Sequence, residues 1–455
     1  MNHWISVAVQ TPAHSSVAGP LTYRSELPLP PGTLVRAPLG SREVLGIVWS
    51  PADGPPDGRA AEATRTIAGA LEGIEPLSAP WLELVAFAAG YYQRALGELA
   101  LAALPPQLRE LSSTQLARRL KAGAGKPRDA SAGNAIEKNP DFIALSDQQT
   151  LALAEFDSKP GPFLLFGATG SGKTEVYLHA VAALLERDPG AQALVMVPEI
   201  NLTPQLEARF NARFAPRYGD RSVVSLHSGM THPQRLKSWL AAHSGAARIV
   251  LGTRMAVFAS MPGLKLIVVD EEHDPSYKQQ EGARYSARDL AVYRGRLDGA
   301  KVLLGSATPS LESWHHSRPA SVDDPGGRYT RLVMPGRIGD AGFPKVRRVD
   351  MNHQPMKTVF SAPLLDAIRA RVARGEQSMV FLNRRGYAPV LHCADCGWKS
   401  ECPHCSAFRV FHKIDRTLRC HHCGFTERVP RACPACGNID IAPLGRGTER
   451  LEEHL

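Results

Sequence analysis

The eight cysteines of the 455-residue chain all fall within one short window, as four Cys-x-x-Cys pairs. The pairs are Cys393/Cys396, Cys402/Cys405, Cys420/Cys423 and Cys433/Cys436. A tetrahedral zinc ion binds four thiolates and two such pairs supply them, so the array predicts two complete four-cysteine zinc sites. The spacing leaves open which pairs share an ion, because sequential, nested and interleaved pairing are all possible.

A disulfide framework is the alternative explanation of the cysteine array. Such a framework needs an oxidising compartment, whereas the N-terminus of this chain lacks the long apolar core of a signal peptide. No apolar run approaches the ~18–20 residues that a membrane span needs. The sequence therefore favours zinc over disulfides and predicts a cytoplasmic protein with no membrane partner.

A glycine-rich stretch with the pattern G-x-x-x-x-G-K-[ST] follows an apolar strand and precedes a helix. Its residues are Gly167, Ala168, Thr169, Gly170, Ser171, Gly172, Lys173 and Thr174. Backbone N–H groups of such a loop close around the β-phosphate of a nucleotide, and the helix N-terminus favours negative charge. We expect Lys173 to reach the β- and γ-phosphates and the Thr174 hydroxyl to bind magnesium. The stretch thus predicts an ATP site with Mg²⁺.

An acidic cluster follows another apolar strand and consists of Asp270, Glu271, Glu272 and His273. By itself such a strand end is commonplace and is often merely solvated. Here it follows the P-loop and precedes a third strand that ends in Ser-Ala-Thr, so we take it as a candidate catalytic set. We expect Asp270 to hold magnesium through water and Glu271 to polarise the attacking water.

The elements around these residues alternate between short apolar strands and helix-length amphipathic stretches from about residue 146 onward. Short apolar strands divided by helices predict a parallel sheet that is covered on both faces. In such sheets ligands collect at the carboxyl ends of the strands. Polar residues in Pro198–Ile200 and Gly252–Arg254 fall at the same predicted edge.

A loop that mixes tyrosines with cations follows the acidic cluster. Its residues are Tyr277, Lys278, Arg284, Tyr285, Arg288, Tyr293, Arg294 and Arg296. Aromatic rings stack on bases while cations contact phosphates, so the loop predicts a single-stranded DNA contact. The alternative is a solvated basic loop with its tyrosines on the inner face. A formal charge of +9, from 53 Lys and Arg against 44 Asp and Glu, also favours a polyanionic partner.

Composition divides the chain into four predicted segments. They are a small β-rich domain (1–105) that closes with a helix at Trp81–Leu104, a basic Ala/Gly/Ser-rich linker (106–141), a P-loop lobe (142–335), and the start of a second αβ lobe (336–455) with the cysteine insert at 391–437. The chain is too long for one hydrophobic core, which is consistent with this division.

Together these segments resemble the PriA family of bacterial replication-restart helicases, within helicase superfamily 2. The resemblance runs from about residue 145 to residue 449. The similar stretches are GATGSGKTEVYL, VPEINLTPQ, HSGMTHPQR, GTRMAVF, LIVVDEEHDPSYKQQEGARYSARDLA, GSATPSLES, FLNRRGY, the cysteine array and GTER. A double cysteine insert within a helicase lobe is highly specific to this family.

The resemblance implies an ATP-dependent 3′-5′ DNA helicase of the primosome that recognises stalled or abandoned replication forks and restarts DNA replication. The implied partners are forked and single-stranded DNA, other primosome proteins and single-stranded DNA-binding protein. In this family the outer cysteine pairs bind one zinc ion and the inner pairs bind the other. Gln149 resembles the family's adenine-reading glutamine, with the neighbouring Gln148 as the alternative.

The fold that the resemblance implies is α/β. A P-loop, RecA-like parallel-sheet helicase lobe follows a small β-rich N-terminal DNA-binding domain. An incomplete second lobe then carries a zinc-ribbon-like insert with two four-cysteine sites.

The resemblance is weaker over the first hundred residues. The family's pocket for the 3′ end of the leading strand commonly contains Phe-Asp-Tyr, and the corresponding place here is Leu21-Thr22-Tyr23, with Gly40 in the supporting turn. Loss of the ring and the carboxylate predicts altered 3′-end discrimination. The family's winged-helix domain is expected to be reduced or absent, because the polar stretch between the first domain and the P-loop lobe is short.

The second lobe is expected to be incomplete, with a helix at Ala362–Arg374 and a strand at Met379–Leu382 before the insert. The arginines that a complete lobe would bring to the γ-phosphate are worth ~10³–10⁵ in rate. We therefore expect this chain to bind ATP and DNA but to hydrolyse ATP poorly, and to be a fragment of a longer helicase. An unfinished sheet is also expected to expose apolar surface.

Two other functions stay open on the sequence. The first is a truncated, ATPase-poor zinc-bearing scaffold that recognises forked DNA and uses nucleotide at most as a structural ligand. The second is a translocating restriction or remodelling ATPase of the same superfamily, which the eight-cysteine insert disfavours.

Overall fold

The computed structural model divides the chain into two compact units, Met1–Gly342 and Phe343–Leu455. The residues that it describes are 3–11, 19–55, 64–111, 115–116, 118, 144–198, 203–339, 344–353, 360–381, 390–405, 407–421 and 423–444. The segment limits expected from the sequence stay predictions. Among the described residues, no helix has the length and apolar character that a membrane span needs.

The first unit begins with a five-stranded antiparallel sheet in the order β2-β1-β4-β3-β5. The strands are β1 His3–Val9, β2 Leu21–Ser25, β3 Leu34–Leu39, β4 Arg42–Pro51 and β5 Gly69–Ala70. Ile5, Val7 and Val48 are buried in the small core of this sheet. The β-rich N-terminal domain predicted from the sequence is therefore present.

The helical stretch expected at Trp81–Leu104 is present and consists of two helices. They are α1 Ala79–Tyr91 and α2 Leu96–Ala102. Gln93 follows α1 with a left-handed φ of +53°, and the amide of Arg94 donates to the carbonyl oxygen of Ala89 at 2.9 Å. This pattern ends a helix by satisfying its last carbonyl groups.

The start of the predicted linker packs against the N-terminal sheet. A short helix, α3 Gln107–Glu110, follows α2, and Leu108 is fully buried. The Arg36 guanidinium donates to the carbonyl oxygens of Leu108, Arg109 and Leu111. These residues are thus part of the folded unit, whereas most of 112–143 lies outside the described residues.

A seven-stranded sheet with entirely parallel pairing forms the centre of the first unit, in the order β12-β6-β11-β10-β7-β9-β8. The strands are β6 Phe163–Gly167, β7 Gln192–Met196, β8 Val223–Leu226, β9 Ile249–Gly252, β10 Leu264–Val269, β11 Lys301–Ser306 and β12 Thr330–Met334. The associated helices are α4 Asp147–Ser158, α5 Lys173–Arg187, α6 Thr203–Tyr218, α7 His232–His243, α8 Ala287–Asp298 and α9 Leu311–His316. The predicted parallel sheet is confirmed.

Alternate residues of the central strands pack into two different cores, one on each face of the sheet. Ile267 and Val269 of β10 belong to one core, and Leu266 and Val268 belong to the other. This alternation follows from the twofold periodicity of a strand whose two faces are both covered. The core that contains Ile267 and Val269 also contains residues of the N-terminal part, among them Trp81, which is 2% exposed.

Hydrogen bonds also join the N-terminal part to the parallel-sheet part beside this shared core. The Trp81 indole Nε1 donates to the carbonyl oxygen of Phe258 at 2.7 Å. His243 lies with Nδ1 2.8 Å from the Ser260 hydroxyl and Nε2 2.9 Å from the carbonyl oxygen of Glu75. The N-terminal part and the parallel sheet are therefore joined by buried apolar and hydrogen-bonded contacts.

The second unit contains one α-helix, a short 3-10 helix at Met351–His353 and two small sheets among its described residues. The α-helix is α10 Ala362–Ala373, the two-stranded sheet pairs β13 Val390–Cys393 with β17 Ile441–Leu444, and the three-stranded sheet contains β14 Val410–His412, β15 Thr417–Arg419 and β16 Thr426–Arg428. No residue of α10 is buried.

The strand expected at Met379–Leu382 is wrong for its described residues. Met379 and Phe381 are 92% and 78% exposed and belong to no strand, and Leu382 lies outside the described residues. A strand is stabilised by pairing with a neighbour, and no strand in the described part of this unit pairs with it. The exposure of these apolar side chains agrees with the expectation of exposed apolar surface in this segment.

The buried His243 makes the stability of the first unit sensitive to acid. Burial lowers the pKa of this ring, so it stays neutral in the folded state while the unfolded chain takes up a proton near its ordinary value of about 6.5. Stability from this group is present above about pH 6.5 and is lost as the pH falls from there toward the lowered folded pKa. We expect the wild-type chain to lose unfolding free energy between pH 7.5 and 5.5.

Urea unfolding at the two pH values measures this effect. His243→Gln is expected to lose less stability on acidification than the wild type, and the exposed control His232→Gln is expected to lose the same amount. An equal loss in His243→Gln and wild type would contradict the assignment.

Candidate functional site

The P-loop connects β6 to α5 through two left-handed glycines. Gly170 has φ +84° and Gly172 has φ +80°, a conformation that residues with side chains rarely adopt. Gly172 directly precedes α5, so the loop ends at a helix N-terminus, where partial positive charge favours an anion. This arrangement is suited to holding phosphate.

Lys173 and Ser171 place polar groups inside the loop. The Lys173 ammonium donates to the carbonyl oxygen of Gly167 at 3.1 Å and lies 3.9 Å from Oε1 of Glu271. The Ser171 hydroxyl is buried without a hydrogen-bond partner among the described residues, and Thr174 is half-buried in the first turn of α5. An unsatisfied buried hydroxyl is costly, and a polar ligand in the loop would relieve that cost.

Asp270 follows β10 and contacts two tyrosines. Its Oδ1 accepts hydrogen bonds from the Tyr177 hydroxyl at 2.9 Å and from the backbone amide of Glu271 at 3.1 Å. The Tyr277 hydroxyl donates to the backbone carbonyl oxygen of Asp270 at 2.7 Å. Burial raises the pKa of Asp270, and the hydrogen bond from Tyr177 opposes that rise. Asp270 is thus held at its carboxylate by Tyr177 and at its backbone carbonyl oxygen by Tyr277.

Tyr177 is missing from the residues predicted from the sequence. It lies on α5, four residues after Lys173, and therefore on the same face of the helix. Burial and the neighbouring Asp270 raise its pKa well above the ordinary value, so the hydroxyl stays protonated and can donate. The spacing from Lys173 is the sequence feature that could have identified it.

Glu271 and His273 connect the acidic cluster to the end of β11. Glu271 has a left-handed φ of +45°, and its Oε2 lies 3.6 Å from Nδ1 of His273. His273 Nδ1 lies 2.7 Å from the Ser306 hydroxyl, and Nε2 lies 3.3 Å from the Thr308 hydroxyl. The structure therefore brings the acidic cluster and the Ser-Ala-Thr strand end together.

Glu272 faces the protein interior and is 1% exposed. Its carboxylate accepts hydrogen bonds from the amide and hydroxyl of Ser310 at 2.7 and 3.0 Å and from the Ser313 hydroxyl at 2.8 Å. Arg288 also donates to it at 3.3 Å. Both carboxylate oxygens are engaged, so these contacts favour a positioning role over contact with a nucleotide. The assignment of the whole catalytic set stays a prediction.

Gln149 and Gln148 both support the P-loop region. Gln149 is 1% exposed; its Oε1 accepts from the amide of Ser146 at 2.8 Å, and its Nε2 donates to the carbonyl oxygen of Gly172 at 3.1 Å. Gln148 accepts from the amide of Gly336 at 3.0 Å. Recognition of adenine by Gln149 stays a prediction.

Most aromatic rings of the basic, tyrosine-containing loop are built into the core. Tyr277 and Tyr285 are 2% and 8% exposed, and Tyr293 stacks on Phe87 with ring centroids 3.8 Å apart. Arg294 is buried as well and donates to two backbone carbonyl oxygens. The expectation that these tyrosines stack on single-stranded DNA is wrong, because packing them in the core removes their large apolar surface from water. Lys278, Arg284 and Arg296 remain exposed.

A cavity of about 790 Å³ lies beside this loop, beyond the carboxyl ends of β7, β8 and β9. Pro198, Thr253 and Arg254, three of the predicted edge residues, line it. Arg254 donates to Oε1 of Gln279 at 2.6 Å, and the Ser276 hydroxyl donates to the carbonyl oxygen of Pro198 at 2.9 Å. The loop after β10 therefore forms one wall of the cavity.

The predicted 3′-end residues lie on β2 and at the turn between β3 and β4. Tyr23 is 3% exposed, and its hydroxyl donates to the carbonyl oxygen of Pro38 at 3.2 Å. Leu21 and Thr22 are half-buried, and Gly40 has a left-handed φ of +63°. The structure places these residues near one another, with Tyr23 serving the core.

The eight cysteines form two clusters in the second unit. One contains Cys393, Cys396, Cys433 and Cys436, and the other contains Cys402, Cys405, Cys420 and Cys423. Within each cluster all four sulfur atoms lie within 4.8 Å of one another, so each could hold one metal ion. The outer pairs are grouped together and the inner pairs are grouped together.

Several predicted stretches lie outside the described residues. They are Glu199 and Ile200, residues 382–387 of FLNRRGY, and GTER.

Three family models match the chain. Residues 146–316 match the DEAD/DEAH box helicase model, residues 6–105 match the 3′DNA-binding domain (3′BD), and residues 402–428 match the PriA DNA helicase Cys-rich region (CRR) domain. The matches follow the parallel sheet, the N-terminal sheet and the inner cysteine cluster, respectively.

The chain is also similar to proteins named Replication restart protein PriA. It is 43% identical over 71% of its length to that of Haemophilus influenzae, 40% over 70% to that of Bacillus subtilis, and 34% over 95% to that of Rickettsia conorii. The matches span 42%, 39% and 62% of those relatives, respectively.

Gly305 of β11 leaves the space that the Tyr177 hydroxyl occupies. A Cβ at this position would lie 1.7 Å from that hydroxyl oxygen, so Gly305→Ala is expected to displace Tyr177 from Asp270. We expect a loss of about 1–3 kcal/mol in unfolding free energy, measured by urea denaturation, because the core is overpacked.

Two further variants test the cause of this loss. Gly90→Ala, a glycine of α1 with open space around it, is the control and should not destabilise. Adding Tyr177→Phe to Gly305→Ala should recover part of the loss, and no recovery would contradict the proposed contact.

Proposed function

Because this chain belongs to the PriA family of replication restart proteins over the residues that it shares with them, we propose that it forms the ATP-binding and fork-binding part of a 3′-5′ DNA helicase. That helicase restarts replication at stalled or abandoned forks. Forked and single-stranded DNA are the proposed nucleic-acid partners. Other primosome proteins and single-stranded DNA-binding protein are proposed protein partners.

One observation supports this proposal above the others. The P-loop lysine, the acids after β10 and the hydroxyl at the end of β11 lie in contact at one edge of the sheet, through the Lys173–Glu271 and His273–Ser306 distances of 3.9 and 2.7 Å. This is the edge of an open α/β sheet where ligands bind. A phosphate-holding loop next to carboxylates suits hydrolysis of a nucleoside triphosphate.

In the proposed reaction, the backbone amides of Gly170–Gly172 and the Lys173 ammonium hold the phosphates. Thr174 and Asp270 are the residues that would hold Mg²⁺, which when bound would neutralise charge on the phosphates. Glu271 would accept a proton from the attacking water. His273, which contacts both Glu271 and Ser306, would transmit a movement of the Glu271 carboxylate to the end of β11. Glu272 would keep the segment after β11 in place.

DNA is proposed to bind at the cavity beyond β7, β8 and β9. Arg254 and Gln279 offer polar groups there, and Lys278 and Arg284 lie exposed on the adjoining loop. Such cations contact the phosphate backbone and give sequence-independent affinity. The 3′BD match at residues 6–105 supports a second DNA contact in the N-terminal domain.

We propose that each cysteine cluster binds one zinc ion. A tetrahedral ion with Zn–S bonds of about 2.3 Å separates its sulfurs by about 3.8 Å. The shortest sulfur–sulfur separation between pairs is 3.5 Å in each cluster, for Cys396–Cys433 and for Cys402–Cys423, so the clusters fit. The ions would have a structural role, since four protein ligands leave no open position.

A second candidate function is a zinc-bearing scaffold that binds forked DNA and hydrolyses ATP poorly. The exposed, unpaired segment at Met379–Phe381 favours it, because the second unit contributes no described parallel sheet that could face the nucleotide. The two functions differ in the use of nucleotide: the helicase needs the P-loop to unwind forked DNA, whereas the scaffold uses nucleotide at most as a structural ligand.

Lys173→Ala separates nucleotide binding from fork binding. Losing a charged hydrogen bond to phosphate costs about 1.5–3 kcal/mol, so we expect affinity for fluorescent mant-ATP with Mg²⁺ to fall by about 10- to 150-fold. Affinity for a labelled forked DNA, measured by anisotropy without nucleotide, should be unchanged.

Lys265→Ala is the matched control, because this exposed lysine lies at the amino end of β10, the opposite end from Asp270. Wild-type affinity for mant-ATP in Lys173→Ala would refute the proposed nucleotide site. Fork binding by a wild-type chain that binds no nucleotide would favour the scaffold.

Removal of zinc should unfold the cysteine insert and spare the nucleotide site. Structural zinc sites are unfolded without metal, and the insert belongs to a different compact unit from the P-loop. A zinc-sensitive dye should report two ions per chain on release, and mant-ATP affinity should not change. Cys402→Ser should leave one tightly held ion. Loss of nucleotide binding on chelation would contradict the proposed separation.

A further inference from the structure

A segment that no sequence motif identified lies directly on the P-loop. Residues 335–338 leave the end of β12, the strand next to β6 at the edge of the sheet, and are called the exit segment here. The amide of Ala168 donates to the carbonyl oxygen of Met334 at 3.1 Å, and the amide of Ile338 donates to that of Gly170 at 3.0 Å. The exit segment is therefore hydrogen-bonded along the loop.

The same segment is also tied to the beginning of α4. The amide of Gly336 donates to Oε1 of Gln148, and the neighbouring Gln149 donates to the carbonyl oxygen of Gly172. Loop, exit segment and α4 thus form one connected wall. A side chain that projects from the exit segment is held at a fixed place relative to the phosphate-holding loop.

Arg337 is such a side chain. A Cβ built on Gly170 would lie 3.2 Å from Nε and 3.5 Å from Nη2 of Arg337, so the guanidinium lies against the backbone of this glycine. Ile338, the residue after Arg337, also packs against the P-loop, because a Cβ on Gly172 would lie 2.4 Å from its Cδ1. The two left-handed glycines of the P-loop therefore also make room for the exit segment. Arg337 is half-buried and keeps access to solvent.

The charges at the site favour a second cation. The Lys173 ammonium is engaged by the carbonyl oxygen of Gly167 and lies 3.9 Å from the Glu271 carboxylate. Asp270 adds another carboxylate at the same strand end. A bound di- or triphosphate brings further negative charge, which a guanidinium offsets while donating paired hydrogen bonds to phosphate oxygens.

We propose that Arg337 is a nucleotide-binding residue that contacts the phosphates of the adenine nucleotide held by the P-loop. This inference rests on the proposed ATP-binding function and adds to it a phosphate ligand from outside the G-x-x-x-x-G-K-[ST] stretch. The contact strengthens the affinity for ADP and ATP and leaves the affinity for the nucleoside alone unchanged.

Binding of mant-ADP with Mg²⁺ to the full zinc-loaded chain, and its displacement by unlabelled ADP or by adenosine, tests the proposal. Arg337→Ala should weaken ADP binding by about 5- to 20-fold, near the lower end of the effect of a charge-assisted hydrogen bond because Arg337 is only half-buried. Adenosine should displace the label from wild type and variant equally well. Arg337→Lys, which keeps the charge but loses the paired geometry, should give an intermediate ADP affinity.

Arg187→Ala is the matched control, because this exposed arginine at the end of α5 pairs with Asp157 away from the loop. Unchanged ADP affinity in Arg337→Ala would overturn the inference, and so would an equal loss for ADP and adenosine. The same loss in Arg337→Ala and Arg337→Lys together with a lowered unfolding midpoint would show a structural role and would overturn it too. A wild-type chain that binds no mant-ADP would refute the proposed function, and this inference with it.

Discussion

The left-handed backbone at Glu271 is the constraint on which the arrangement of the first unit depends. It lies at the carboxyl end of β10 and lets three consecutive carboxylates face different partners. Asp270 contacts Tyr177 on the P-loop helix, Glu271 lies near Lys173 and His273, and Glu272 enters the interior. A non-glycine residue in this conformation costs of order 1–3 kcal/mol and persists where the surrounding contacts stabilise it. The hydrogen bonds that the neighbouring Asp270 and Glu272 carboxylates accept supply that stabilisation.

Glu272 connects this turn to the loop that lines the cavity beyond β7, β8 and β9. Arg288, at the start of α8, donates both to Glu272 and to the hydroxyl of Ser310, after β11. The tyrosine-containing loop between β10 and α8 forms one wall of the large cavity, and the amide of Ser286 in that loop donates to the Tyr92 hydroxyl. A single connected set of contacts therefore joins the nucleotide loop, the cavity and the N-terminal domain.

Local patterns were sufficient to predict much of this site. The P-loop, the strand-end acids and the grouping of strands into a parallel sheet depend on short-range spacing, and all three features are found at the expected positions. The burial of Tyr277 and Tyr285 was not predictable in this way. It depends on long-range packing within the large core that the N-terminal helices share with the parallel sheet. The contact of Arg337 with Gly170 likewise depends on strand order, which places β12 beside β6 although they are distant in sequence.

In the proposed function, the P-loop and the cavity proposed to bind DNA belong to one coupled network. Measuring mant-ADP affinity with and without saturating forked DNA tests it most directly. We expect forked DNA to change the nucleotide affinity by about fivefold or more, with an equal reciprocal effect of ADP on fork affinity, as coupled sites require. Tight binding of both ligands with no change in either affinity would contradict it.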